Sequence, residues 1–187
     1  MTYLPPVLQI GLALLVLTAG VYDIRYRRIP NWLVLAGLIF GLALNTFLGP
    51  VLSRSVWTGL RHAGLGLGLA FLIYFPLYLL RGMGAGDVKL MAAVGSIVGP
   101  GNWIVIFIIS ALLGGIFAIT LSLAKGRLRR TMWNVAFLIN EMAHARAPHL
   151  GKEELDVNNP KAVTLPHGTV IALGTMLFLG AGHLLVR

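Results

Sequence analysis

The sequence predicts an all-α, polytopic membrane protein with a single membrane-embedded domain over residues 1–187. Three observations carry that expectation. Hydrophobic residues make up 57% of the chain and charged residues only 11%, whereas an ordinary soluble domain carries about 25% charged residues. Apolar runs long enough to approach a bilayer crossing recur between short polar breaks. The basic residues gather in those breaks, which is how membrane proteins set their orientation. The formal charge of +9 is therefore read as sidedness, and no nucleic-acid partner is expected.

The first apolar run extends from about Leu4 to Tyr22 and ends at Arg25, Arg27 and Arg28. Pro30 suits the first turn of a new helix, so a second span is expected from near Asn31 to about Leu48, broken by Gly49-Pro50. A third follows from Val56 to Leu80, with Arg61 and His62 near its start. The fourth, about Val88 to Val98, is closed by Gly99-Pro100-Gly101. It is shorter than the ~20 residues a crossing needs, and Gly84 to Gly86 or local thinning of the bilayer supply the difference. The fifth runs from Trp103 to Ala124 and the sixth from Leu165 to Val186.

Six spans place the loop after span one, the Arg81 to Lys89 loop and the Lys125, Arg127, Arg129, Arg130 tract on one side, expected to be cytoplasmic. Both termini are then outside. Residues 125–164 form the cytoplasmic loop, with a surface-lying helix from Met132 to Ala147 that turns Trp133 and Phe137 to lipid. Met1-Thr2-Tyr3 carries no basic stretch, so no cleaved signal peptide is expected. The absence of cysteine excludes disulfides, thiolate metal sites and cysteine nucleophiles.

Of six acidic residues, only Asp23 and Asp87 fall in the first 140 positions, each at the edge of a long apolar run. A carboxylate beside hydrocarbon is costly and marks a functional position. Alone, Asp23 reads equally as a partner for Arg25, Arg27 or Arg28, and Asp87 as a helix N-cap after glycines. If the two helices meet, the carboxyls share one proton, the arrangement that activates water in aspartic proteases.

The flanking residues decide between these readings. Asp23-Ile24-Arg25-Tyr26-Arg27-Arg28-Ile29-Pro30-Asn31 resembles the first aspartate motif of the bacterial type IV prepilin peptidases. Gly84-Ala85-Gly86-Asp87-Val88-Lys89-Leu90 is similar to their second, Gly-x-Gly-Asp-x-Lys, motif. Leu165-Pro166-His167-Gly168 is similar to a late proline-containing element of the family, in which tyrosine is common at the place of His167. The resemblance implies an inner-membrane aspartic endopeptidase that removes the short basic leader of prepilins or pseudopilins at the cytoplasmic face, after a glycine. It implies Asp23 and Asp87 as the catalytic pair, with Arg28, Pro30, Asn31, Gly84, Gly86, Lys89 and Pro166 as motif or substrate-positioning residues. Long members add a domain with paired Cys-x-x-Cys motifs and N-methylate the product. The cysteine-free chain resembles the short Flp (tight-adherence) form, for which neither methyltransferase, zinc nor any other cofactor is expected.

Several finer expectations follow. Gly84 and Gly86 would let backbone approach closely and adopt positive φ, opening a local strand edge for extended substrate. Gly37/Gly41 and Gly64/Gly68 read as helix-packing pairs. Lys89 reaches headgroups or substrate. Asp87 opens a helix and Asp23 closes one, so the dipoles favour Asp87 as the resting carboxylate and Asp23 as proton carrier. His144, His149, His167 and His183 show no metal-binding spacing, and Glu153, Glu154 and Asp156 form a solvated linker or attract the basic leader. A presenilin-like or signal-peptide-peptidase-like protease shares the Tyr-Asp and Gly-x-Gly-Asp pairs; Ile29-Pro30-Asn31 and Lys89 favour the prepilin type. A proton-coupled transporter would need polar residues at the midplane of spans two, three and five, which show almost none. A purely structural secretion component would tolerate Asp→Asn at both positions. The partners expected are a prepilin and the lipid bilayer; no oligomeric state is assigned.

Overall fold

The computed structural model describes residues 4–51, 55–79, 83–126, 129, 132–133 and 166–185. Its regular structure is entirely helical among those residues: α1 (Pro6–Tyr26), α2 (Asn31–Val51), α3 (Val56–Leu79), α4 (Ala85–Ala124) and α5 (His167–Leu185). Three of them, α1, α3 and α4, are long and apolar enough to cross a membrane, and Asn31–Phe47 and His167–Gly182 are shorter apolar helices.

Helix α1 buries a stripe of Leu8, Leu12, Leu15, Val16, Ala19 and Gly20 that ends on Asp23. The spacing of three and four residues puts all of these on one helical face. Ile10, Leu14, Leu17, Val21 and Ile24 point outward and are exposed, as lipid-facing side chains are. The helix runs one turn past the expected end at Tyr22, which places Asp23 inside it. Arg27 then stops it in the left-handed conformation (φ 53°), its N–H bonding to the Asp23 carbonyl at 2.9 Å.

Helix α2 starts at Asn31, directly after Pro30, as expected. The break at Gly49-Pro50 does not occur, since the helix continues to Val51. Pro50 is its second-last residue, where it forfeits one backbone bond with almost no helix left to interrupt. Ser55 begins α3 as an N-cap, its Oγ accepting the Thr58 N–H at 3.2 Å.

The expected fourth and fifth spans are the two helical segments of α4, which meet at Gly99, whose φ of 74° and ψ of 174° are non-helical, where the Gly99-Pro100-Gly101 break was expected. A 40-residue helix would extend about 60 Å, twice a ~30 Å hydrocarbon core, if straight. It is not straight. The Trp103 indole donates to the Met91 carbonyl at 3.1 Å, twelve residues earlier, whereas twelve residues of straight helix span about 18 Å. The chain therefore turns sharply at Gly99 and lays residues after the break against the segment before it. Asn45 Nδ2 supports the corner, donating to the Ser96 and Ile97 carbonyls at 3.0 Å each.

The segment before the break is the centre of the molecule. Residues 90–99 are all buried, and α4 packs against α1, α2, α3 and α5, while α1 also packs against α2 and α5. Of the expected glycine pairs, Gly37 and Gly41 face Leu15, Ala93, Ser96 and Ile97 as packing positions. Gly64 and Gly68 meet no described neighbour. The tight contact of α3 is instead Gly66 against Gly95, where backbones meet with no room for a Cβ. Of the 125–164 loop, only Lys125, Gly126, Arg129, Met132 and Trp133 are described, with Met132 and Trp133 exposed. The expected helix from Met132 to Ala147 otherwise lies outside the described residues, as do Phe137, His144, His149, Glu153, Glu154, Asp156 and Arg81.

Candidate active site

Asp23 is the charged end of an apolar stripe and is only 7% exposed. Its carboxylate meets the first turn of α5. Oδ2 accepts the backbone N–H of Thr169 at 3.2 Å, and the Thr169 hydroxyl donates to the Gly20 carbonyl at 3.3 Å, one turn back along α1. Pro166 precedes α5 and its carbonyl accepts the N–H groups of Thr169 and Val170, closing the first turn.

Asp87 enters from α4. Gly84 is the N-cap, with φ −75° and ψ 147°, so Asp87 is the third helical residue rather than the cap. It nevertheless accepts the Gly84 backbone N–H, the return half of a capping box. The helix-end role anticipated for it is thus filled from inside the turn. The carboxylate is partly buried and interacts electrostatically with Asp23, with His167 at the start of α5, and with the buried Tyr74 hydroxyl of α3. Both acids and the N-terminus of α5 therefore occupy one end of the bundle.

Three of the finer expectations change here. Gly84 and Gly86 do not take positive φ; only Gly99 and Gly126 do so among the described glycines. The close approach expected of Gly86 is present, since a Cβ there would stand 3.3 Å from Ile29 Cβ. The dipole contrast between the acids also disappears. Asp23 ends α1, but its carboxylate receives an N–H from the first turn of α5, so each acid faces the positive end of a helix. Lys89, finally, is neither snorkelling freely nor isolated: Nζ donates to Asn31 Oδ1 at 3.0 Å. That bond joins the two aspartate motifs directly.

The other motif residues surround these contacts. Arg28 is exposed beyond the end of α1, and Pro30 is partly buried and accepts the Val34 N–H at 3.4 Å. Tyr22 packs on Tyr26 (5.5 Å between centroids) and on Trp32 (6.4 Å), with the Arg25 guanidinium 5.6 Å from the Tyr26 ring. Aromatic rings beside basic residues suit a membrane–water interface. Gly20, Thr169 and Tyr74 carry no signal in the sequence, and Gly168 is marked only as part of the Leu165-Pro166-His167-Gly168 element. Pro166 before an apolar run signalled a helix start, but nothing local says which acid that start will meet.

An all-helical membrane protein with two acids of distant sequence origin gathered at one bundle end is the class that this fold and site define. The family model of the type IV leader peptidase family matches residues 10–119, and the chain belongs to that family. It is 34% identical over 125 residues to an Escherichia coli prepilin leader peptidase/N-methyltransferase, covering 65% of this chain and 53% of that protein. It is 32% identical over 118 residues to the Neisseria gonorrhoeae protein of the same description, covering 60% of this chain and 41% of that one. The chain thus spans about half the length of the curated relatives it matches. No solved structure gives a significant match.

Proposed function

We propose that this chain is an aspartic endopeptidase of the bacterial inner membrane that removes the leader from type IV prepilins or pseudopilins at the cytoplasmic face. The observation that carries the reading is the convergence of Asp23 and Asp87, from α1 and α4, on the first turn of α5. Membership of the leader peptidase family supplies the substrate class. The Lys89–Asn31 bond ties together the two features that favour the prepilin type over a presenilin-like protease.

In this reading one carboxylate takes a proton from water while the water oxygen attacks the scissile carbonyl carbon. The other, protonated, donates a hydrogen bond to the carbonyl oxygen as it gains charge. Collapse of the tetrahedral intermediate breaks the C–N bond, and the leaving amine takes up the proton. Only the peptidase half of the relatives' description is carried over. The residues after Gly99 return alongside those before it, which supports six crossings with the acids near the inner leaflet and the 125–164 loop on the cytoplasmic side.

The test is direct. Purified protein in lipid vesicles is mixed with a prepilin carrying a basic leader, a glycine at the junction and an apolar helix, and the product is analysed by mass spectrometry. A single cut after the glycine supports the function; an intact substrate rejects it.

A further inference from the structure

Gly168 is buried between the two walls of the site. A Cβ at this position would lie 3.1 Å from both Asp23 Cβ and Asp23 Oδ2, and 3.0 Å from Ile29 Cδ1. Those separations are shorter than the ~3.5–4.0 Å at which non-bonded carbons rest. The next residue, Thr169, makes the 3.2 Å N–H bond to Asp23 Oδ2. The close approach and the hydrogen bond are therefore neighbouring features of one contact, since a side chain at 168 would press on Asp23 beside the Thr169 N–H that its carboxylate accepts. The Thr169 hydroxyl bond to Gly20 fastens the same turn to α1.

We propose that Gly168 is a positioning residue for peptide hydrolysis: its missing side chain lets the Thr169 backbone N–H orient the Asp23 carboxylate toward Asp87. The proposal rests on the peptidase reading above. It accounts for a glycine after the Pro166-His167 pair by a contact with the first acid, not by a turn, because Gly168 lies within α5 and has no positive φ.

The experiment uses the full chain in lipid vesicles, a prepilin substrate, and steady-state kinetics with a thermal midpoint for every variant. Wild type must cleave and Asp23→Asn must not. Failure of either control overturns the dyad reading and this proposal with it. Given those controls, Gly168→Ala is expected to lower kcat about 10-fold, because the few tenths of an ångström by which its neighbours must yield are less than the ~1 Å misplacement that costs about 100-fold, with KM unchanged within about twofold. A kcat equal to wild type overturns the proposal alone. Adding Ile29→Val to Gly168→Ala removes the clash with Ile29 Cδ1 and leaves the one with Asp23. Activity is expected to stay low, and recovery to the wild-type rate would assign the loss to packing and overturn the proposal. Should Gly168→Ala fail to accumulate, Thr169→Pro deletes the donor in a first turn that tolerates proline. It is expected to lower kcat beyond the level of Thr169→Val, which removes only the hydroxyl bond to Gly20, and a kcat equal to that of Thr169→Val contradicts the proposal.

Discussion

Lys89 Nζ donates to Asn31 Oδ1 across 3.0 Å, joining the start of α4 to the start of α2 at an exposed position. Asn31 begins α2 after the first aspartate motif and Lys89 lies two residues after Asp87 near the start of α4, so the bond holds the entry of Asp87 in register with the segment after Asp23. A hydrogen bond to a charged group is worth about 1.5–3 kcal/mol when shielded, and solvent exposure lowers that toward about 1 kcal/mol or less. Lys89→Met and Asn31→Ala are each expected to destabilise by about 1 kcal/mol, and the double variant by no more than either alone. Denaturation of the three variants in one detergent checks this; full additivity would show that the two side chains act independently.

Gly99 carries the turn within α4. Its φ of 74° and ψ of 174° lie in a region essentially reserved for glycine, at a cost of about 1–3 kcal/mol for other residues. A Cβ would also collide with the His62 imidazole. Gly101, two residues on, has open space. Gly99→Ala is therefore expected to lose at least about 2 kcal/mol and accumulate poorly in membranes. Gly101→Ala, with better helix propensity by about 1 kcal/mol, is expected to be neutral or mildly stabilising. Comparing thermal midpoints and yields of the pair isolates the backbone effect from mere added bulk.

Ser110 illustrates a buried polar group that contributes nothing favourable. Its Oγ has no hydrogen-bond partner among the described residues, and Gly174 of α5 packs directly against it. A buried hydroxyl left unpaired costs about 1–3 kcal/mol. Ser110→Ala is accordingly expected to raise stability by about 1 kcal/mol or leave it unchanged, with cleavage rates untouched. A fall in the thermal midpoint would reveal a partner for the hydroxyl.

Much of this architecture was legible because its causes are local. The apolar run before Asp23 announces a membrane helix that ends near the acid, although α1 is apolar all round and only its packing shows that Leu8, Leu12, Leu15 and Ala19 are the buried face. Pro30 and Pro166 mark helix starts, and Gly99-Pro100 marks a break, through their own backbone preferences. What escaped depends on partners far away in the chain. Gly64 and Gly68 have the spacing of a packing pair, yet Gly66 is the residue that meets Gly95, because only the tertiary rotation of α3 chooses the face. The donor to Asp23 is a main-chain N–H at Thr169, a group every non-proline residue possesses and none advertises. For the same reason the contrast drawn between the two acids from their own helices left out α5, whose first turn donates to Asp23.

The central claim is that Asp23 and Asp87 together perform the hydrolysis. It is tested by single-turnover cleavage of a prepilin with Asp23→Asn and Asp87→Asn, each shown to fold by an unchanged thermal midpoint. Removing either proton-transfer group is expected to slow cleavage by about 10²- to 10⁴-fold, with the double variant scarcely slower than either single one. Cleavage at an undiminished rate in either single variant would contradict the account.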